Sequence, residues 1–147
     1  MKWEKLLMPS GIDRDQSKFE GNQAEVVLQP LERGFGLTLG NALRRTLLAA
    51  IQGAAIGAVK IDGVRHELSI VPGVTEDVTD MILNLRQVVF NYDLDEPVWL
   101  TLQANSEGPV TASAFDLPPG VSIVNPDLHI CTLGEGANIS LQVYVVS

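Results

Sequence analysis

The sequence is poor in the residues that build disulfides, metal sites and imidazole chemistry. It contains one cysteine, Cys131, and two histidines, His66 and His129, among 147 residues. A single thiol cannot form an internal disulfide or a thiolate metal cage, and two imidazoles leave little for a catalytic site. These shortages predict no metal, no cofactor and a reducing, cytoplasmic compartment.

Positive charge is also scarce, and it is absent from the second half of the chain. The sequence has 10 basic and 18 acidic side chains, for a net charge of -8. No Lys or Arg follows Arg86, whereas seven acids lie between residues 87 and 147. Because no overall positive field exists to attract a phosphate backbone, we expect no direct nucleic-acid contact by this chain.

Long hydrophobic runs are missing as well. The longest uncharged apolar stretch, residues 46–59, has 14 residues, and a membrane-spanning helix needs roughly 20. Residues 1–10 are interrupted by Glu4 and Pro9 and never develop the apolar core of a secretion signal. We therefore expect neither membrane insertion nor export.

What remains is ample for a packed fold, since 46% of the residues are hydrophobic. Spacing at i, i+4 predicts helices over 34–51 and 75–86, and no regular element is expected within the first eighteen residues. An Asp-Gly pair at 62–63 predicts a hairpin between two of the strands. The predicted strands are 24–28, 54–61, 64–71, 88–92, 98–102, 110–112, 121–124, 128–131 and 139–146. The chain ends on a strong strand pattern, which suggests that more sequence would follow.

Together these elements predict an α+β fold, with a strand–helix region over 1–53 and a mostly antiparallel β region carrying one helix over 54–147.

The helix over 34–51 is apolar around most of its circumference. One broad face, at 100° per residue, includes Phe35, Leu39, Leu43, Thr46 and Leu47. A second apolar stripe is formed by Leu37, Leu48 and Ile51, and a narrow polar line by Gly34, Thr38, Asn41 and Arg45. Such a helix must be covered on more than one side. Either a partner helix covers the second side, or both faces lie in the chain's own core.

The glycines at positions 34, 36 and 40 follow a strand and open this helix, as in a dinucleotide-binding fingerprint, and Asp62 lies where a ribose-binding acid belongs. In a dinucleotide-binding fold the glycine-rich phosphate turn follows the strand immediately. Here four residues, 30–33, separate the strand from the glycines. Alternating βα units are also missing from the rest of the pattern. Nucleotide binding is therefore discounted.

Three other features could serve as chemical sites by residue type. Acids at 76, 77 and 80 could bind a divalent cation, but they suit the stabilisation of a helix N-terminus better. His66 and Glu67 could form a general-base pair, but neighbours on a strand point to opposite faces and no nucleophile accompanies them. Cys131 lies in an apolar strand and is expected to be a buried packing residue. The sequence predicts no catalytic residue and no metal site.

Ten short motifs follow one another along the chain. They are Leu31-Glu32-Arg33-Gly34-Phe35-Gly36, Thr38-Leu39-Gly40-Asn41-Ala42-Leu43-Arg44-Arg45, Ile61-Asp62-Gly63-Val64, His66-Glu67, Pro72-Gly73-Val74, Glu76-Asp77-Val78-Thr79-Asp80, Leu83-Asn84-Leu85, Gly108-Pro109-Val110-Thr111-Ala112, Ile123-Val124-Asn125-Pro126 and His129-Ile130-Cys131-Thr132-Leu133. In this order they resemble the N-terminal module of the alpha subunit of bacterial DNA-directed RNA polymerase, and the resemblance runs from about Glu25 to the end of the chain.

The resemblance implies a non-catalytic subunit that dimerises and scaffolds assembly of the beta and beta-prime subunits for transcription. It implies a dimerisation region over 1–53 and an insert domain over 54–147. The implied dimer residues are Phe35, Leu39, Leu43, Thr46 and Leu47. Arg45 matches the position that contacts beta, with Thr38 and Asn41 beside it. A secondary interface is expected at His66, Glu67, Asp77 and Asp80.

The family's module continues past the last residue of this sequence. A segment that returns to the first region, and then a DNA-binding domain, are expected there, and without the return segment the homodimer should be weakened. Leu37, Leu48 and Ile51 would then be exposed. The alternative is a truncated or repurposed homologue that binds one polymerase subunit as a regulator or competitor.

Overall fold

The computed structural model describes residues 7–147, apart from the side chain of Gln16. The chain divides into two compact units between Ile51 and Gln52. We call the part that ends at Ile51 unit 1 and the part Gln52–Ser147 unit 2.

Unit 1 contains a β-hairpin followed by a helix. Strand β1, Ile12–Glu20, runs antiparallel to β2, Gln23–Leu28, with an irregularity in register between Asp13 and Lys18. The expectation of no regular element in the first eighteen residues was wrong for β1. That strand is largely polar, so it has no apolar period from which to predict it. Residues 1–6 of the same expectation lie outside the described residues.

The helix of unit 1, α1, spans Phe35–Ala49. It begins after Gly34, whose φ of 83° lies in the left-handed region that favours glycine. The amide of Phe35 donates to the carbonyl of Glu32 at 3.0 Å, which closes the turn into the helix. The prediction of a helix over 34–51 is confirmed, with ends one and two residues inside those bounds.

Unit 2 is built from short antiparallel strands and one helix. Its four-stranded sheet has the order β3-β10-β5-β7, and two strand pairs, β4-β8 and β6-β9, complete it. The elements are β3 (Ala55–Ile61), α2 (Val78–Leu85), β4 (Phe90–Tyr92), β5 (Val98–Ala104), β6 (Gly108–Thr111), β7 (Phe115–Asp116), β8 (Val121–Ile123), β9 (His129–Leu133) and β10 (Ile139–Val146), with a 3-10 turn at Ala112–Ala114.

The core of unit 2 is organised by β10, which lies between β3 and β5. Leu141 pairs with Leu102 on one side and with Ile61 on the other, and all three side chains are buried. Val143 and Val145 continue the same buried face. Within the described part of the chain, every buried hydrophobic residue belongs to unit 2. The strand predicted over 139–146 is confirmed, and so is the α+β fold class.

The predicted hairpin at 62–63 was wrong. Gly63 does form a turn, with φ of 80°, and the amide of Val64 donates to the carbonyl of Ile61 at 3.1 Å. The chain then continues as a loop instead of a strand over 64–71, and β3 pairs with β10. The longer apolar alternation of β10 offers more buried area than 64–71, where Leu68 and Ile70 remain exposed.

The second helix begins three residues later than predicted. The Asp77 side chain accepts a hydrogen bond from the amide of Asp80 at 2.8 Å, which makes Asp77 the cap and Val78 the first helical residue. The two-residue strand β7 was not predicted, because so short an element carries no periodicity. In residues 7–147 no helix is long and apolar enough to cross a membrane.

Candidate protein interface

The apolar surface of α1 is not covered within the described chain. None of its residues is buried; Leu37 and Leu48 are 75% and 76% exposed, and Leu39 is half-buried. The exposed apolar side chains of this helix are Phe35, Leu37, Leu43, Leu47 and Leu48. The described residues of unit 1 do not cover either apolar face of α1, and both alternatives for its cover stay predictions. Burying one such side chain contributes about 1.5–3 kcal/mol.

Thr38, Asn41 and Arg45 are all exposed along the same helix. Within residues 7–147 the Arg45 guanidinium has neither a hydrogen bond nor an ion pair, and Arg44 is in the same state. Thr46 differs, because its hydroxyl donates to the carbonyl of Ala42 at 3.0 Å. The polar line thus offers one free guanidinium at a fixed position on a helix.

Another exposed group lies where the loop after β3 meets the start of α2. The hydroxyl of Thr79 donates to the carbonyl of Glu67 at 2.9 Å, and the amide of Val78 donates to the carbonyl of Ser69 at 3.2 Å. These bonds hold the loop that carries His66 and Glu67 against the end of the helix that carries Asp77 and Asp80. His66 and Glu67 lie in a turn rather than on a strand, so the expectation that they point to opposite faces of a strand was wrong.

Glu76 has a role that the sequence analysis missed. Its carboxylate accepts hydrogen bonds from the Thr132 amide at 2.6 Å, the Thr132 hydroxyl at 3.0 Å and the His129 ring at 2.7 Å. Partial burial raises the pKa of Glu76, but the bonds from His129 and Thr132 outweigh it, so the pKa lies below its usual value. The carboxylate therefore ties the segment before α2 to β9, and only the fold brings these residues together.

Cys131 is fully buried in β9, as predicted for a packing residue. Burial, and secondly the Glu76 carboxylate, raise the pKa of its thiol to about 11. A thiol with this pKa is protonated at neutral pH and is a poor nucleophile. Among residues 7–147 there is no group of three or more His, Cys, Asp or Glu side chains that could hold a metal ion.

The antiparallel sheets and the capped α2 define unit 2 as a small α+β domain. Residues 59–147 match the RNA polymerase Rpb3/RpoA insert domain, and the chain belongs to this family. The match begins inside β3 and continues to the end of unit 2.

Two curated relatives are both described as DNA-directed RNA polymerase subunit alpha. The chain is 46% identical to the one from Nitratidesulfovibrio vulgaris over 140 residues, covering 95% of this chain and 40% of the relative. It is 46% identical to the one from Desulfovibrio desulfuricans over 143 residues, covering 97% and 41%. The chain thus spans about two fifths of the length of these relatives, and the family resemblance drawn from the motifs is confirmed.

Proposed function

We propose that this chain acts as a non-catalytic part of DNA-directed RNA polymerase, in the cytoplasm, and helps to assemble the beta and beta-prime subunits for DNA-templated transcription. Family membership and the two alpha-subunit relatives support the polymerase context. The observation that carries the assembly role is α1, a 15-residue helix rich in leucine with no buried residue. An exposed apolar surface of this kind is typical of a protein interface.

The proposed occupant of that surface is a second copy of the chain. Phe35, Leu39, Leu43, Thr46 and Leu47 would meet the same residues of the partner across a two-fold axis, since identical subunits most often pair by using one surface twice. The absence of acidic or basic side chains among these five supports the pairing, because no charge would be buried. The predicted division into a dimerisation region, 1–53, and an insert domain, 54–147, remains part of this proposal.

Docking of the beta subunit is assigned to Arg45, with Asn41 one turn and Thr38 two turns earlier on the helix. A guanidinium held on a helix can bind a carboxylate or backbone carbonyls in a fixed geometry. The lack of any partner for Arg45 among the described residues supports this role. His66, Glu67, Asp77 and Asp80 form the proposed secondary interface.

Co-expression with the polymerase beta subunit from the same source tests the proposal. The unchanged chain should retain beta on an affinity column, and Arg45→Ala should lower the retained amount at least about tenfold, the loss expected for one buried charged contact. Arg44→Ala is the matched control, because the neighbouring arginine is equally exposed and unpaired.

The stoichiometry of the retained complex decides between the two candidate roles. Two copies of the chain per beta would support the scaffold. One copy per beta would instead favour a homologue that binds a single subunit as a regulator or competitor. Equal retention of beta by the unchanged chain and by Arg45→Ala would contradict the docking role of Arg45.

A further inference from the structure

A groove of about 280 Å³ lies in unit 2 between β3, the loop after it and α2. We call it the basic groove. Its lining residues are Val59, Lys60, Ile61, Val64, Arg65, His66, Glu67, Val78 and Ile82. The groove is distinct from α1, since every lining residue belongs to unit 2.

The groove has an apolar floor and a polar rim. Ile61 and Val78 are buried in the core, whereas Val59, Val64 and Ile82 are half-buried. Lys60, Arg65 and His66 are exposed around them. The groove therefore offers a place for an apolar side chain with cationic groups at its edge.

The basic residues of unit 2 are concentrated at this place. From residue 52 to the end the sequence has twelve acids and only three basic residues, Lys60, Arg65 and Arg86. Two of the three line the groove, and Glu67 is the one acid among the lining residues. Neither Lys60 nor Arg65 has a side-chain hydrogen bond or an ion pair with the described residues. Two cationic groups are thus free for an external partner on an otherwise acidic surface.

The loop that forms one wall is held in place before any partner binds. The His66 ring and the Ser69 hydroxyl are hydrogen-bonded at 3.3 Å, and the amide of Ser69 donates to the carbonyl of His66 at 3.1 Å. The same loop exposes two large apolar side chains, Leu68 at 80% and Ile70 at 74%. A preformed loop lowers the ordering cost of binding, and its leucine and isoleucine extend the apolar contact area.

We propose that the basic groove binds an acidic polypeptide segment with a large apolar side chain, the apolar group on the floor and the carboxylates at Lys60 and Arg65. Charge complementarity selects this partner, because a carboxylate-rich segment is attracted to the rim. A nucleic acid would bring its phosphates against the twelve acids of the unit. The proposal rests on the proposed function in two respects, since the groove shares His66 and Glu67 with the proposed secondary interface and the segment is placed on another polymerase subunit.

Titration of the ¹⁵N-labelled 147-residue chain with a peptide probe tests the groove directly. The probe is acetyl-Gly-Glu-Asp-Leu-Phe-Asp-Glu-Gly-amide. Saturable shifts are expected at the amides of residues 60, 64–67, 78 and 82. Lys60→Glu combined with Arg65→Glu should weaken binding at least about tenfold, the scale of two lost charge contacts. Lys18→Glu combined with Arg33→Glu is the matched control, because it makes the same change in net charge at exposed residues that do not line the groove, and it should change the affinity less than about twofold.

Three results would overturn the proposal. The first is the absence of saturable shifts at the groove residues. Another is equal binding of a probe in which Asn and Gln replace Asp and Glu. The third is tighter binding of a single-stranded oligothymidylate at the same residues. Each leaves the Arg45 co-purification result unchanged, because that assay reports on α1. Peptide binding without beta retention would instead support the groove and contradict the assembly function.

Discussion

The two units use the same kinds of apolar residue in opposite ways. In unit 2, the alternation along β10 places Leu141, Val143 and Val145 in a fully buried face. In unit 1, Leu39, Leu43 and Leu47 follow an equally regular i, i+4 spacing, yet Leu43 and Leu47 remain 46% and 61% exposed. An apolar period therefore predicts that a face is buried, but it does not show whether the same chain or a partner chain covers that face.

The most direct test of this difference between the units is to truncate one leucine in each of them. Leu102→Ala should lower the free energy of unfolding by about 2–5 kcal/mol, since Leu102 is fully buried between β10 and β7. Leu48→Ala should change it by less than about 0.5 kcal/mol, because that side chain is exposed. Urea unfolding measures both changes, followed in unit 2 by near-ultraviolet circular dichroism of Trp99 and Tyr144, which are in ring contact, and for helix α1 by far-ultraviolet circular dichroism. Equal losses would show that the two units do not differ in this way.

The single thiol offers a second test of the packing of unit 2. Because burial raises the pKa of Cys131 to about 11, its reaction with a disulfide reagent near neutral pH should be at least about 100-fold slower than for an exposed cysteine. Addition of urea beyond the unfolding transition should remove the difference. Fast labelling of the folded chain would mean that β9 opens readily, and that unit 2 is less well packed than its buried residues indicate.

A smaller loss of stability is expected when the hydrogen bonds between Glu76, just before α2, and β9 are weakened. Glu76→Gln should lower the free energy of unfolding at neutral pH by about 1–2 kcal/mol, because a carboxylate that accepts three hydrogen bonds is replaced by a neutral amide. The contribution of the carboxylate is present above the pKa of Glu76 in the unfolded chain. Since the folded pKa is lower, the contribution is lost as the pH falls through it.

The pH dependence provides the control for this variant. The difference between Glu76→Gln and the unchanged chain should shrink as the pH is lowered from neutral to below the usual glutamate range. A difference independent of pH would assign the loss to shape rather than to the carboxylate.

The smallest predicted effect concerns the start of α2. Asp77→Ala should cost about 1 kcal/mol, because it removes the acceptor of the Asp80 amide at the helix cap. Asp80→Ala is the matched control, since it removes an acid from the same helical turn but leaves the cap in place, and should cost only about 0.3–1 kcal/mol. Thermal unfolding of both variants measures the difference. A larger loss for Asp80→Ala would show that charge near the helix end matters more than the cap.

Much of the fold could be predicted because many elements carry a clear period. The alternation in 139–146 and the i, i+4 leucines of α1 identify β10 and α1 within two residues. The polar strand β1 and the two-residue β7 have no such period, so they could not be found. The segment 64–71 resembled a strand by composition. However, β3 pairs with β10 instead, and a local sequence pattern cannot show which of two segments will pair with a given strand.

The candidate surfaces also combine features that the sequence predicts with features that depend on the fold. The resemblance predicted that Leu37, Leu48 and Ile51 are exposed, and the structure confirms it. The hydrogen bonds of Glu76 join residues 53 and 56 positions apart, and nothing local marks them. The basic groove likewise depends on the turn at Gly63 that brings Arg65 and His66 beside β3.

Sedimentation equilibrium of the 147-residue chain tests most directly whether α1 is covered by a second copy. The predicted result is a concentration-dependent mass that approaches twice the monomer mass of 15.9 kDa. Leu43→Asp combined with Leu47→Asp should return it to the monomer mass, whereas Val124→Asp, at an exposed apolar residue of unit 2, should leave the dimer intact. A mass that stays at 15.9 kDa at every concentration for the unchanged chain would contradict the proposal that α1 pairs with its own copy.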